Sequence, residues 1–126
     1  MKQSTENFVI DSDGTIVNDA LLAISQNKIR SVYLRGPSGI LVGVVTEGDV
    51  IRGLLSGLTV HAPIMQVCNK SFSYVVKSGV QNADINSAMS LMLSKNLVSV
   101  PIVDKGFHLC NVITFKHFLD NVKLEK

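Results

Sequence analysis

The spacing of apolar residues changes character several times in the first sixty positions, and each change marks an element. Phe8-Val9-Ile10 is a short apolar run, a strand candidate that Asp13-Gly14 breaks. Val17, Ala20, Leu21 and Ile24 then fall at i, i+3, i+4 and i+7, the stripe of an amphipathic helix. Thr15 is placed to cap that helix, which should end near Gln26-Asn27-Lys28. Ser31 to Leu34 and Ile40 to Val45 read as strands. Gly36-Pro37-Ser38-Gly39 between them is turn chemistry, so the two should form a hairpin. Thr46-Glu47-Gly48-Asp49 leads into a helix from about Val50 to Ser56, with Gly57 where a helix-ending glycine belongs. His61 to Lys70 is a connector. Pro63 restrains it, and Ile64, Met65 and Val67 predict that it packs rather than floats. The remainder predicts a strand at Tyr74-Val75-Val76, a helix from Asp84 to Ser94 and a strand from Val98 to Val103. A turn at Asp104-Lys105-Gly106, a strand from Leu109 to Ile113 and a helix from Phe115 to Val122 complete it.

The second half repeats the first. A shift of 68 residues, without a gap, places Ala20-Leu21 on Ala88-Met89, Ser31-Val32 on Ser99-Val100 and Val44-Val45-Thr46 on Val112-Ile113-Thr114. Val17, Ile24, Ile29 and Leu34 fall on Ile85, Met92, Leu97 and Ile102, so apolar positions land on apolar positions. Each copy reads β-α-β-β-α. One copy is too small to cover its own apolar sheet face, so the two are expected to pack together. The predicted fold is α/β (α+β): two β-α-β-β-α repeats packed with pseudo-twofold symmetry, with clefts where the sheets meet. The first repeat spans residues 1–60, the linker 61–72 and the second repeat 73–126.

Composition narrows the class. Of 126 residues, 46% are hydrophobic, enough for a real core, and the formal net charge of +2 is too small to argue for a nucleic-acid partner. No apolar run approaches the roughly 20 residues that span a bilayer, which predicts no membrane insertion. Met1 to Asn7 is polar and no apolar segment of a signal peptide follows it. Cys68 and Cys110 are far apart and in no C-x-x-C arrangement, so reduced thiols and a cytoplasmic location are expected.

The chemistry concentrates at Gly43-Val44-Val45-Thr46-Glu47-Gly48-Asp49, a strand-to-helix junction. A helix N-terminus presents free N–H groups and a positive dipole end, which suit a phosphate. The Thr46 hydroxyl can donate to a phosphate or ribose oxygen, and Asp49 can accept from a ribose 2′,3′-diol. Arg30 before the hairpin and Arg52 on the helix would supply positive charge. The plainer alternative is that Thr46 caps the helix and Asp49 only complements its dipole.

Two copies that each close their last strand with Val-Val-Thr or Val-Ile-Thr resemble a tandem cystathionine-β-synthase (CBS) domain pair, or Bateman module. The segment Gly43 to Asp49 is similar to the family's G-h-x-T/S-x-x-D ribose-phosphate motif. The resemblance implies that Thr46 and Asp49 contact an adenosyl ligand, and that the backbone of Arg30-Ser31-Val32 cradles the base. It implies a regulatory, non-catalytic sensor of AMP, ADP, ATP or S-adenosylmethionine, needing no cofactor or metal and acting on an enzyme, transporter or channel. The stretch from Thr46 to Leu58 and the linker Val67-Cys68-Asn69-Lys70 are similar to a subgroup that precedes sugar-1-phosphate nucleotidylyltransferase domains, with Ile51 where that subgroup often has an arginine. The glycine-rich loop of that catalytic domain is absent from the chain, so a regulatory fragment of a larger enzyme is expected. A homodimer is also implied by resemblance, through the apolar faces Val50-Ile51-Leu54-Leu55 and Phe118-Leu119-Val122.

The second copy departs from the motif. Asn111-Val112-Ile113-Thr114-Phe115-Lys116-His117 keeps the threonine but has Asn for Gly and His for Asp, and Val98 stands for Arg30. Thr114 and His117 therefore form a degenerate second site, and a nucleotide is expected mainly or only at Thr46 and Asp49. A ligand-free dimerisation module is the rival reading. An enzyme reading also exists, because Phe8 to Ile16 resembles the h-h-h-D-x-D-G-T signature of haloacid-dehalogenase-type phosphatases. That resemblance would make Asp11 a Mg²⁺-assisted nucleophile and Asp13 a general acid. Against it, the shift of 68 places Asp11 and Asp13 on Gly79 and Gln81, and no paired-acid metal motif follows. His108 and Cys110 alternate on a strand without further ligands for zinc, and Met89 and Met92 read as core.

Overall fold

A computed structural model describes residues 8–117 and 119, and the chain divides after Phe72 into two compact units. The first contains β1 (Val9–Asp11), α1 (Val17–Gln26), β2 (Ser31–Arg35), β3 (Leu41–Thr46) and α2 (Glu47–Leu55). The second contains β4 (Val75–Val76), α3 (Gln81–Lys95), β5 (Ser99–Val103) and β6 (Leu109–Thr114). Residues 115–117 then begin a further helical turn. The rest of the expected last helix, with Phe118 and Val122, lies outside the described residues.

Each unit builds one three-stranded sheet, ordered β1-β2-β3 and β4-β5-β6. The first two strands are parallel and the last two form an antiparallel hairpin. The α+β architecture predicted from the repeat is therefore observed in each unit. The hairpins obey the shift of 68 to the residue. Ser31 pairs with Thr46 and Ser99 with Thr114, and both ladders slip at the same place, Leu34/Arg35 and Ile102/Val103. Strand and helix stripe face one core in each case. Val17, Ala20, Ile24, Val32, Leu34, Val45, Val50 and Ile64 fill the first, and Ala88, Met89, Met92, Val100, Ile102 and Ile113 the second.

The gapless frame fails before the helices. Ile10 pairs with Leu34, and its counterpart beside Ile102 is Val75, three residues earlier than the shift predicts. The difference is absorbed by α3, which begins at Gln81 rather than near Ile85 and so carries an extra N-terminal turn. Asp11 thus corresponds to Val76, not Gly79. Two boundaries in the first unit also move. Ile16, not Thr15, precedes α1. Its N–H donates to the Asp19 carboxylate, while the Thr15 hydroxyl turns back to the Asp11 carbonyl. Helix α2 starts at Glu47, three residues before the expected Val50, because Thr46 caps it. It ends as expected at Gly57, at φ +106°, with Leu58 N–H bonded to the Gly53 carbonyl and Gly57 N–H to that of Leu54.

The connector packs on the first unit. Ile64 is wholly buried in a short 3₁₀ turn, Ile64–Gln66, although Met65 points outward. Backbone bonds tie it down at both ends: Val17 N–H to the Ala62 carbonyl, Ile64 N–H to that of Thr15, and a reciprocal pair between Val44 and Asn69.

Candidate functional site

Strand β3 delivers Thr46 to the end of the sheet, and the Thr46 side chain starts α2. Its hydroxyl oxygen accepts from Asp49 N–H at 3.1 Å. Asp49 Oδ2 in turn accepts from the Thr46 N–H at 2.9 Å and from the Thr46 hydroxyl at 3.0 Å. This is a reciprocal capping box, two free donors of the helix start satisfied by two side chains. The other carboxylate oxygen, Oδ1, accepts from Arg52 Nη2 at 2.6 Å. The Asp49 side chain is only 10% exposed, that of Arg52 70%. Gly48 lets the guanidinium lie close, since a Cβ there would stand 3.2 Å from Arg52 Nη1.

Arg30 sits just before β2 in the left-handed region, at φ +58°, held by its N–H to the Asn27 side chain. Its guanidinium is 3.3 Å from Glu47, an exposed pair that contributes little to stability. Ser31 and Val32 are buried, so what they present to a ligand is main chain. The structure thus gathers Thr46, Asp49 and Arg52 into one network and brings Arg30 to the same helix start through Glu47. The role of Glu47 was missed in the sequence, where it reads as an unconstrained position of the motif.

Gly43, the motif's first residue, has a local reason. A Cβ there would meet Cys68 Sγ at 3.1 Å and the Asn69 carbonyl at 3.2 Å, so glycine lets the connector cross the strand. Burial pushes the Cys68 thiol up, with Lys70 opposing and the Asp49 carboxylate adding to the rise. The shift favours the protonated thiol over the thiolate.

The second junction is built differently. Thr114 N–H donates to His117 Nδ1 at 3.2 Å, and the Thr114 hydroxyl oxygen accepts from Lys116 N–H at 3.3 Å. An imidazole thus stands where Asp49 stands. As an acceptor Nδ1 offers one lone pair, where the Asp49 carboxylate offers two oxygens.

The phosphatase-like segment does not assemble an acid pair. Asp11 ends β1 in an exposed pair with Arg35 at 3.4 Å, Asp13 is exposed in the turn, and among the described residues no group of His, Cys, Asp and Glu is placed to hold a metal ion.

The profile of the CBS domain matches the sequence twice, over residues 4–56 and 80–124. The chain belongs to the CBS domain family, as a tandem pair. CBS pairs are in general regulatory modules rather than catalysts. An uncharacterized protein of Helicobacter pylori (strain J99) is 31% identical over 80 residues, 64% of this chain and 23% of that protein. The chain spans less than a third of the length of the curated relatives it matches. Among solved structures, CBSX2 in complex with AMP superposes with a TM-score of 0.73 at 21% identity, covering 96% of this chain and 92% of that one. The cytosolic domain of the Mg²⁺ channel MgtE in complex with ATP gives 0.70 at 20% identity, covering 94% and 46%. At these identities the likeness establishes the fold. No helix among the described residues is long and apolar enough to cross a membrane.

Proposed function

We propose that this CBS pair binds an adenine nucleotide of the AMP, ADP or ATP class at the Thr46/Asp49 junction and thereby regulates an attached or partner enzyme. The observation that carries the reading is the division of labour at Asp49. Oδ2 alone holds the capping box, while Oδ1 is engaged only by the exposed Arg52. A ribose diol can take Oδ1 without dismantling the helix start. The displaced Arg52 guanidinium and the nearby Arg30 are then available to phosphates. The backbone of Ser31 and Val32 borders the same helix start and suits the base. Solved CBS-pair structures carrying AMP and ATP support the ligand class. Binding regulates only if the nucleotide has different affinity for two states of the module or its dimer.

The similarity of Thr46 to Leu58 to modules that precede sugar-1-phosphate nucleotidylyltransferases supports such a domain as the controlled enzyme, within a larger cytoplasmic protein. A homodimer is supported by α2, on which Ile51 is 57% and Leu55 83% exposed. Val50, expected on that face, is instead buried in the unit's own core. The same exposed face favours the second reading, a dimerisation module without ligand.

Isothermal titration of the purified chain with AMP, ADP, ATP, S-adenosylmethionine and CMP decides between them. Micromolar binding near one site per chain, lost in Asp49→Ala, is expected. Circular dichroism checks that the variant folds, since loss of the cap costs about 0.5–2 kcal/mol. No heat with any of these ligands overturns the nucleotide reading.

A further inference from the structure

The second unit contains a cavity of about 300 Å³ that the nucleotide reading does not use. It is lined by Lys77, Gln81 and Asp84 from the β4–α3 segment, Ile102 of β5, and Cys110 and Asn111 of β6. Thr114 pairs with Ser99, whereas Asn111 pairs with Ile102. The cavity is therefore three residues, about 10 Å, along the hairpin from the second junction.

The first unit differs at the equivalent place. The hairpin frame equates Ile102 and Asn111 with Leu34 and Gly43. There the connector crosses, with Ile64 in the core and Asn69 bonded to Val44. In the second unit no described segment pairs with Val112 in that way, and the Val112 N–H donates instead to its neighbour's side chain, Asn111 Oδ1, at 2.8 Å. The extra turn of α3 also takes up backbone that in the first unit holds the connector.

The side-chain chemistry differs as well. Asp84 occupies the position of Ile16 in the helix frame and is 5% exposed. Both its oxygens share one donor, the Ser78 N–H, at 3.1 Å each. The carboxylate lies in the first turn of α3, whose dipole favours it, but no cation among the described residues pairs with it. Lys77 lies exposed on the same cavity and forms no ion pair with it. One buried anion and one exposed cation, unpaired with each other, are matched by a ligand carrying both charges. A cavity at the small end of the ligand-site range limits its size.

We propose that this cavity binds a small zwitterion of the amino-acid class, its ammonium on the Asp84 carboxylate and its carboxylate toward Lys77, with Ile85 and Ile102 against its aliphatic part.

The test follows thermal unfolding and ¹H–¹⁵N spectra of the purified chain as glycine, L-alanine, L-serine, L-valine and L-glutamine are added singly. Ethylamine and acetate serve as single-charge controls. At least one amino acid should raise the Tm saturably and shift the Ser78, Asp84 and Asn111 amides, while neither control does so at equal concentration. Asp84→Asn keeps an acceptor for Ser78, and Lys77→Ala alters an exposed side chain. Each should weaken binding about tenfold or more. The proposal is overturned if no amino acid gives a saturable shift, if ethylamine matches the amino acids, or if binding survives both substitutions. Asp49→Ala should leave the amino-acid effect intact, so this outcome is independent of the nucleotide reading.

Discussion

The two strand-to-helix junctions share a backbone and differ in chemistry. Both hairpins pair serine with threonine at the junction and slip at the same step, and both threonines accept a helix-start N–H. Around that frame, Arg30, Glu47 and Asp49 of the first repeat become Val98, Phe115 and His117 in the second. The apolar alternation that specifies the fold is kept through duplication, because each strand residue is pinned by a core on one face. The junction side chains are free of that constraint, and there the copies diverge. The fold is thus written twice and the Thr46–Asp49–Arg52 network once.

The largest expected break in the comparison lies in the connector, which completes the first core and has no described equivalent in the second. Ile64 is wholly buried among Val17, Val32 and Val50. Ile64→Ala should cost about 2–5 kcal/mol, the range for emptying an aliphatic core site. Urea unfolding monitored by residue-resolved NMR should show the loss in amides of the first unit. An equal loss in both units, or none, would count against the connector as part of one core.

Most of this architecture was legible because hydrophobic period and turn chemistry agree. The stripe of α1, the Gly-Pro turn and the helix-ending Gly57 each have a local cause, and each appears where its residues place it. The boundaries that moved did so for local reasons that compete with pattern. Thr15 spends its hydroxyl on the Asp11 carbonyl, and Thr46 begins α2 early by exchanging bonds with Asp49. The three-residue offset of β4 did leave a trace, since the gapless shift puts Val9 and Ile10 of β1 on polar Lys77 and Ser78 while the apolar run lies at Tyr74-Val75-Val76. At the site, Thr46 and Asp49 were legible as a spacing, but the Arg52 contact on Oδ1 depends on a side-chain rotamer that spacing does not fix. Asp84 left one usable trace, a carboxylate at a helical position where the other copy has isoleucine.

A smaller effect tests whether the second junction is merely a weaker cap. His117→Asp restores the Thr-x-x-Asp box and puts a carboxylate at a helix start. It should stabilise the protein by about 0.3–1 kcal/mol at low ionic strength. The gain should shrink as salt is added, because the interaction is partly with the helix dipole. Thermal melts of the variant and wild type across a salt series measure both quantities. A gain that salt does not touch would mean that hydrogen-bond geometry alone separates the two caps.

The smallest effect lies in the hairpin turns, which also diverge. Gly36 to Ile40 closes the first without an acid, while Asp104 to His108 closes the second around one. Asp104 Oδ1 accepts from the N–H of His108 at 2.8 Å, the N–H of Gly106 at 2.9 Å and His108 Nδ1 at 3.0 Å. The His108 backbone bond foremost, against a smaller opposing effect of burial, holds the Asp104 carboxyl below its usual 3.8. A carboxyl depressed on folding stabilises the folded state above its unfolded pKa, and that contribution disappears as pH falls through the folded value. The acid limb of stability below about pH 4 should therefore draw on the second turn and not the first. Urea midpoints of wild type and Asp104→Asn should differ at neutral pH and converge as the solution is acidified. A difference that stays constant down to about pH 2 would assign the turn's contribution to hydrogen-bond geometry rather than to the ionised carboxylate.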